Sequence, residues 1–405
     1  MTRTAGDPDH VVYVCTDPGV PVFGWKGCSV HVQSVLQELV SRGARVDLIA
    51  SRTGGAAPPG LEHVRVHELG RPRATDAAEA ERRLIELDGR AAALVSDLLA
   101  KQAGDRARLV YQRYSLFSSQ VMGTAASSGV PGVLEVNAPL VQEQAEHRVL
   151  VDADLARAMT AQALRAAVLA YAVSGPVARW AQDLAGGGTS VPVVANGVDV
   201  RRFSGVAREH AAGTAPVTVA FVGTFRPWHG VDLLVMAAAR FQPGQVRLLL
   251  VGDGPQLEPV LQRAHSSGVE VQAVGAVDPS RIPALLATAD IAAAPYPAAS
   301  AYFSPLKVLE YLAAGLPTVA GAVSNLGTLL RDGEEVLLVP PGDIDALTAA
   351  LRRLVEDPAL RGALGRAGRA AAVHRLTWRA VVDTVLEQTA DRTRALQGTS
   401  AAAAS

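Results

Sequence analysis

Cysteine is nearly absent. Cys15 and Cys28 are the only two in 405 residues, too few for a disulfide framework or a four-thiolate zinc site, and this scarcity suits a reducing compartment. Aromatic residues make up only 4% of the chain, so it is light and rich in Ala, Gly and Val. Charge of one sign is lacking too: 38 Lys and Arg stand against 39 Asp and Glu, a net charge of −1. No bulk field therefore draws the chain to nucleic acid or to an anionic membrane. No apolar run approaches the roughly 18 residues of a spanning helix, because charges such as Arg165 interrupt the longest candidates. The opening MTRTAGDPDH lacks the basic and then apolar run of a secretory leader. The expectation is a soluble cytoplasmic protein with no nucleic-acid partner and no membrane segment. At a prior of roughly 150 residues per domain the length suggests two to three domains.

What is present is a repeated alternation of short apolar runs with helical patterns, the signature of parallel α/β units. Val11 to Cys15 reads as a first buried strand. A glycine-bearing loop, PVFGWKG, follows, and then a helix from Ser29 to Arg42 with Ser29 as its N-cap and Gly43 as its stop. Further strands are expected at Val46–Ala50, Leu109–Gln112, Val133–Val136, Ala172–Ser174 and Pro192–Val194. The pattern lapses through the polar segment SGVAREHAAGTAP, a linker signal. It restarts with strands expected at Val217–Val222, Val246–Val251, Val271–Val274, Ile291–Ala294, Thr318–Ala320 and Val336–Val339. Each half has the size of one doubly wound sheet, which binds ligands beyond the carboxyl ends of its strands. Two such halves facing each other would hold a ligand between them.

The most informative segment is SPLKVLEYLAAG, residues 304–315. Ser304 suits an N-cap, Pro305 the first helical position and Gly315 the stop. Lys307 and Glu310 are three residues apart and share a face. A helix N-terminus offers free N–H groups to an anion, and Lys307 adds a full charge. Glu310, one turn deeper, can accept hydrogen bonds from a vicinal diol such as a ribose. An ordinary capped helix with a surface ion pair would carry the same residues.

The block SPLKVLEYLAAGLP resembles the nucleotide-sugar-binding block of glycosyltransferase family 4, a retaining family with the two-domain GT-B fold. Other pieces follow in that family's order: PVFGWKGCSVHV resembles its N-terminal glycine loop, ANGVD (195–199) its turn before the linker, and FVGTFRPWHGVD its phosphate-contacting strand and turn. VGDGP and PTVAG match as well, so the resemblance spans residues 10 to 375. It implies two Rossmann-like doubly wound domains facing a cleft. Residues 1–203 would bind the acceptor and 204–375 the nucleotide sugar, with 376–405 a C-terminal helix returning to the first domain and ending in a frayed tail.

The resemblance implies a donor site built from Gly24, Gly27, Gly223, Arg226, Gly252, Phe303, Ser304, Pro305, Leu306, Lys307 and Glu310. Three departures stand out. The first glutamate of the family's pair is Tyr302 here, so sugar recognition passes to backbone around Phe303 and Ser304. Where the family commonly has Arg and Lys after Gly223 this chain has Thr224 and His229, so Arg226 and Lys307 are assigned to the diphosphate, with His229 in support. Many relatives carry a His after Val133–Val136, where this chain has Asn137. Lys307, Arg226 and Asn137 are thus the expected catalytic residues, and Tyr114, Asn137 and Glu143 the acceptor contacts.

Competing signals are weaker. Gly252-Asp253-Gly254 follows a strand as a dinucleotide fingerprint would, but Leu257 occupies the third glycine position. Asp152-Ala153-Asp154 has the spacing of a metal-holding pair, yet lies in a helical pattern. The nine histidines show no paired metal-ligand spacing, and His31 reads as a packing residue. The expectation is a metal-independent retaining glycosyltransferase without a cofactor. Its donor would be UDP-GlcNAc or UDP-glucose, and its acceptor a small polar hydroxyl compound such as an aminocyclitol or natural-product precursor. A nucleotide-sugar 2-epimerase of the same architecture and a non-catalytic nucleotide-sugar-binding protein are the alternatives.

Overall fold

The computed structural model describes residues 8–102, 106–204, 216–297 and 305–403, the last five as backbone only. The chain divides into two units: residues 1–195 together with 381–405, and residues 196–380. Among the described residues no helix is long and apolar enough to cross a membrane.

The first unit holds strands β1 (His10–Cys15), β2 (Arg45–Ala50), β3 (Arg65–Glu68), β4 (Leu109–Arg113), β5 (Gly132–Val136) and β6 (Leu169–Ala172). They form one parallel sheet in the order β3-β2-β1-β4-β5-β6. The second unit repeats the plan with β7 (Val217–Val222), β8 (Val246–Val251), β9 (Glu270–Gly275), β10 (Ile291–Ala294), β11 (Thr318–Gly321) and β12 (Leu337–Val339), ordered β12-β11-β10-β7-β8-β9. Each order reverses beside its first strand, between β1 and β4 and between β7 and β10. In such sheets that switch point opens a crevice beyond the carboxyl ends of the strands.

The apolar runs are continuous because both faces of each sheet are covered. On β7, Val219 and Phe221 pack into one core cluster, while Ala220 and Val222 pack into the other. β1 is buried along its whole length.

Several boundaries differ from the sequence reading. The first helix runs Gly27–Ser41 with Lys26 at its N-cap, so Ser29 is a buried helical residue and not the cap. Gly43 does end the chain's turn, at φ +81, with its N–H on Val40 and that of Ala44 on Leu39. The sixth strand is Leu169–Ala172 rather than Ala172–Ser174. Pro192–Val194 supplies only an isolated bridge to Ala172, since Pro192 has no N–H to extend a ladder. β3 went unforeseen because its residues, RVHE, are polar and sit at the sheet edge. The helix of the informative segment is Leu306–Ala313, with Pro305 as the residue before it rather than its first position. Ser304, Phe303 and Tyr302 lie outside the described residues.

Gly315, at φ +71, closes that helix and lets the helix Pro358–Arg375 approach it. A Cβ at Gly365 would stand 2.4 Å from the Gly315 carbonyl oxygen, whereas one at Gly362 meets only the end of the Arg366 guanidinium at 3.2 Å. Gly365→Ala should therefore cost about 1–3 kcal/mol of stability, read as a lower urea midpoint. Gly362→Ala should stay within about 0.5 kcal/mol of the parent.

Candidate functional site

The second unit gathers its charged and backbone groups at the carboxyl ends of β7 and β8. Gly223 and Gly252 both take positive φ, +151 and +129, and a Cβ on Gly252 would lie 1.9 Å from the Gly223 carbonyl oxygen. Only glycine permits that approach. A Cβ on Gly223 would in turn meet Lys307 Cε at 2.8 Å, so the Lys307 side chain lies directly over the strand end.

Lys307 belongs to the first turn of the Leu306–Ala313 helix. Its Nζ is 3.0 Å from His229 Nε2 and 5.8 Å from the centre of the Phe221 ring. His229 Nδ1 bonds the Thr224 carbonyl, so Nδ1 carries the proton and Nε2 accepts from the Lys307 ammonium. Burial, then the charges of Lys307 and Arg226, bring the His229 pKa down to about 4, leaving the ring neutral near pH 7. Burial also lowers the Lys307 ammonium to about 8, with Glu310 partly opposing the shift. Arg226 is exposed and sits over Trp228, 5.8 Å from the ring centre. These groups suit a dianion laid across the strand ends.

Tyr311, one turn beyond Lys307, fixes the end of β7: its hydroxyl accepts the Val222 N–H at 2.8 Å and donates to the Val222 carbonyl at 3.3 Å. Glu310 pairs with Arg202 at 2.9 Å, and Arg202 also donates to the Pro279 carbonyl at 3.1 Å. The ANGVD segment serves packing. A Cβ on Gly197 would come within 2.4 Å of the Trp378 nitrogen, and the Val198 N–H bonds the Leu376 carbonyl.

In the first unit the glycine loop is held by Gln33, whose Nε2 donates to the Val22 and Gly24 carbonyls. Gly24 turns against Pro21, and Gly27 opens the helix. Asn137 donates to Glu135 Oε1 at 2.5 Å. Glu135 is fully buried and also takes His31 at 2.8 Å, Arg113 at 3.2 Å, and the Tyr111 and Tyr171 hydroxyls at 2.8 and 2.7 Å. Burial alone would raise its carboxyl, but His31, Arg113 and Asn137 outweigh it and hold the pKa well below the usual carboxylate range. Burial lowers the His31 pKa even though this carboxylate opposes the shift.

Glu143 lines a cavity of about 460 Å³, with Thr16, Asp17, His147 and Arg148. Tyr114 does not face an acceptor as expected. It is buried, and its hydroxyl is engaged with Thr160 of the helix Ala153–Ala166 at 2.7 Å, because it follows directly on β4 and packs against that helix. Asp152 caps that helix and Asp154 pairs with Arg157, so each carboxylate has a local partner.

With this geometry in hand, comparison with known proteins is decisive for the second unit: residues 216–357 match the family described as Glycosyl transferases group 1. These residues are a glycosyl transferases group 1 domain. Curated relatives include a glycogen synthase of Mycobacterium tuberculosis, 30% identical over 198 residues, covering 47% of this chain and 46% of the relative. A phosphatidyl-myo-inositol mannosyltransferase of Mycobacterium leprae is 31% identical over 222 residues, covering 53% and 57%. The chain thus spans about half the length of the curated relatives it matches. Among solved structures, Anabaena HepE in complex with UDP and glucose superposes with a TM-score of 0.68 at 18% identity, over 94% of this chain and 99% of that one. The sucrose-phosphate synthase of Thermosynechococcus elongatus gives 0.69 at 21%, over 96% and 100%. The fold is GT-B.

Within the group 1 domain the structure brings together Gly223, Gly252, Lys307 and His229, and sets Glu310 one turn along the same helix. Arg202 and Tyr311 escaped the sequence reading. Tyr311 is four residues from Lys307, a spacing that marked it as a neighbour. Arg202 lies 108 positions before Glu310 and gave no local signal. In the first unit Glu135 was missed because it sits in an otherwise apolar buried strand, whereas His31, read as a packing residue, is buried against that carboxylate.

Glu135→Gln removes the carboxylate facing buried Arg113, which should cost about 3–5 kcal/mol, measured by urea unfolding. The folded pKa of Glu135 is depressed, so its contribution is fully present above the ordinary value of 4.5 and is lost as pH falls below it. The parent's stability should therefore decline more steeply below that pH than the variant's.

Proposed function

We propose that the protein transfers a sugar from a nucleoside diphosphate sugar to a hydroxyl of a small polar acceptor. The observation that carries this is the half-buried Lys307 ammonium, held over the Gly223 strand end by neutral His229. Cleavage of the anomeric bond sends negative charge onto the departing diphosphate, and preorganised cations there act in the transition state. Lys307, Arg226 and the N–H groups of the first turn at Leu306 supply that charge in this reading, in place of a metal ion. Glu310, steadied by Arg202 through Oε1, keeps a second oxygen for the ribose diol. Recognition of the sugar by backbone around Phe303 and Ser304, which lie outside the described residues, belongs to the same reading.

Retention of configuration is part of the proposal: attack from the leaving-group face lets the departing phosphate oxygen take the acceptor's proton, and no covalent nucleophile is required. UDP-GlcNAc or UDP-glucose is the donor we favour, supported by the fold shared with HepE, which was solved with UDP and glucose. The acceptor falls to the first unit, where Asn137 is fixed by Glu135 and Glu143 lines the cavity.

Lys307→Ala should lower turnover of the donor by about 10²- to 10³-fold, as for loss of one transition-state donor. Near-parental hydrolysis or transfer of UDP-glucose, followed by chromatography of released UDP, would refute the assignment. The protonated ammonium is the form that binds diphosphate, and its pKa in the free protein is about 8. Calorimetric affinity for UDP should be flat from about pH 7, where the terminal phosphate is already ionised, up to that value and fall several-fold per pH unit above it, while Lys307→Arg should abolish the alkaline decline.

A further inference from the structure

Beside the cavity that Glu143 lines lies a second recess of about 330 Å³, and the two share Arg71, Pro72 and Leu87. Four arginines line the recess, Arg71, Arg73, Arg83 and Arg90, against the single carboxylate of Glu86. Arg83 is already neutralised, by Glu86 at 2.9 Å and Glu79 at 3.4 Å. Arg71, Arg73 and Arg90 have no carboxylate within ion-pair distance among the described residues. In a chain of net charge −1, three unpaired guanidiniums around one concavity repel one another and concentrate positive potential there. The backbone is arranged for it: Pro72 restricts the segment between Arg71 and Arg73, while Arg83 and Arg90, seven residues apart on the helix Ala77–Leu99, share one face.

We propose that this recess binds a phosphate group carried by the acceptor, with Arg71, Arg73 and Arg90 as its ligands and the adjoining cavity taking the hydroxyl-bearing part. The inference rests on the glycosyl-transfer reading for the word acceptor, but the site itself stands on the arginines. Planar guanidiniums offer paired N–H groups to two oxygens at once. A phosphate monoester carries about −1.5 to −2 near pH 7, which matches several unpaired cations better than the single charge of a carboxylate. The recess is too small for a polynucleotide, and the overall charge offers it no further attraction. A soluble phosphorylated polyol and the headgroup of an anionic lipid present the same chemistry.

The test is calorimetry with glucose 6-phosphate, with glucose as the uncharged control, in a Lys307→Ala background that removes the diphosphate site as a competing phosphate ligand. In parallel, co-sedimentation with phosphatidylcholine vesicles containing a minor fraction of phosphatidylglycerol probes the lipid source. The expected result is binding of one or both anionic probes that Arg71→Ala or Arg90→Ala weakens about tenfold or more, with partial recovery in Arg71→Lys. Both residues are exposed, so their replacement leaves folding intact. Response to glucose 6-phosphate alone identifies a soluble source, and response to vesicles alone a lipid one. Absence of binding by both probes, or binding unchanged in the alanine variants, overturns the proposal. UDP binding by the parent separates the two readings: if UDP binds and neither anionic probe does, only the recess fails. If arginine-dependent probe binding persists while UDP does not bind, the transfer reading fails and the recess stands.

Discussion

Covering both faces of a parallel sheet is the constraint on which everything else rests. A strand such as Val217–Val222 sends alternate side chains into two separate cores, so none of its residues is free for chemistry. Helices must return every strand to the same end, and the chain can present polar groups only where strands stop. The two units obey this rule with the same strand order, and in each the functional candidates stand just past strand ends: Gly223 and Gly252 in one, Asn137 in the other.

At those ends low dielectric replaces numbers of charges with placement. Lys307 is made less basic by burial and is neighboured by a neutral imidazole rather than a carboxylate. Its charge is therefore not cancelled in advance and remains available to an anion. Glu135 shows the opposite solution. Five side chains converge on its two oxygens, so it is spent on holding Asn137, Arg113 and His31 in register. Among the described residues one charge has no carboxylate in ion-pair contact and the other is closed upon itself, and burial alone would not have told them apart.

The arginine recess follows a third pattern, cations left exposed and unpaired at a concave surface. In the proposed reading these arrangements let a chain with balanced charge attract anionic compounds: local geometry, and not net charge, supplies the attraction.

The periodicity of apolar residues determined the doubly wound class and ten of the strands to within a residue or so, because buried parallel strands are written as unbroken Val, Leu, Ile and Ala runs. It also placed Lys307 and Glu310 on one helical face. The polar edge strand Arg65–Glu68 and the ladder lost at Pro192 lay beyond it, since pairing there is set by a neighbour and not by local pattern. Only the tertiary structure decided that Tyr114 is a core residue, that Glu310 answers to Arg202, and that His31 and Glu135 share a buried network. Each of these depends on contacts between residues far apart in sequence, which a linear pattern does not encode.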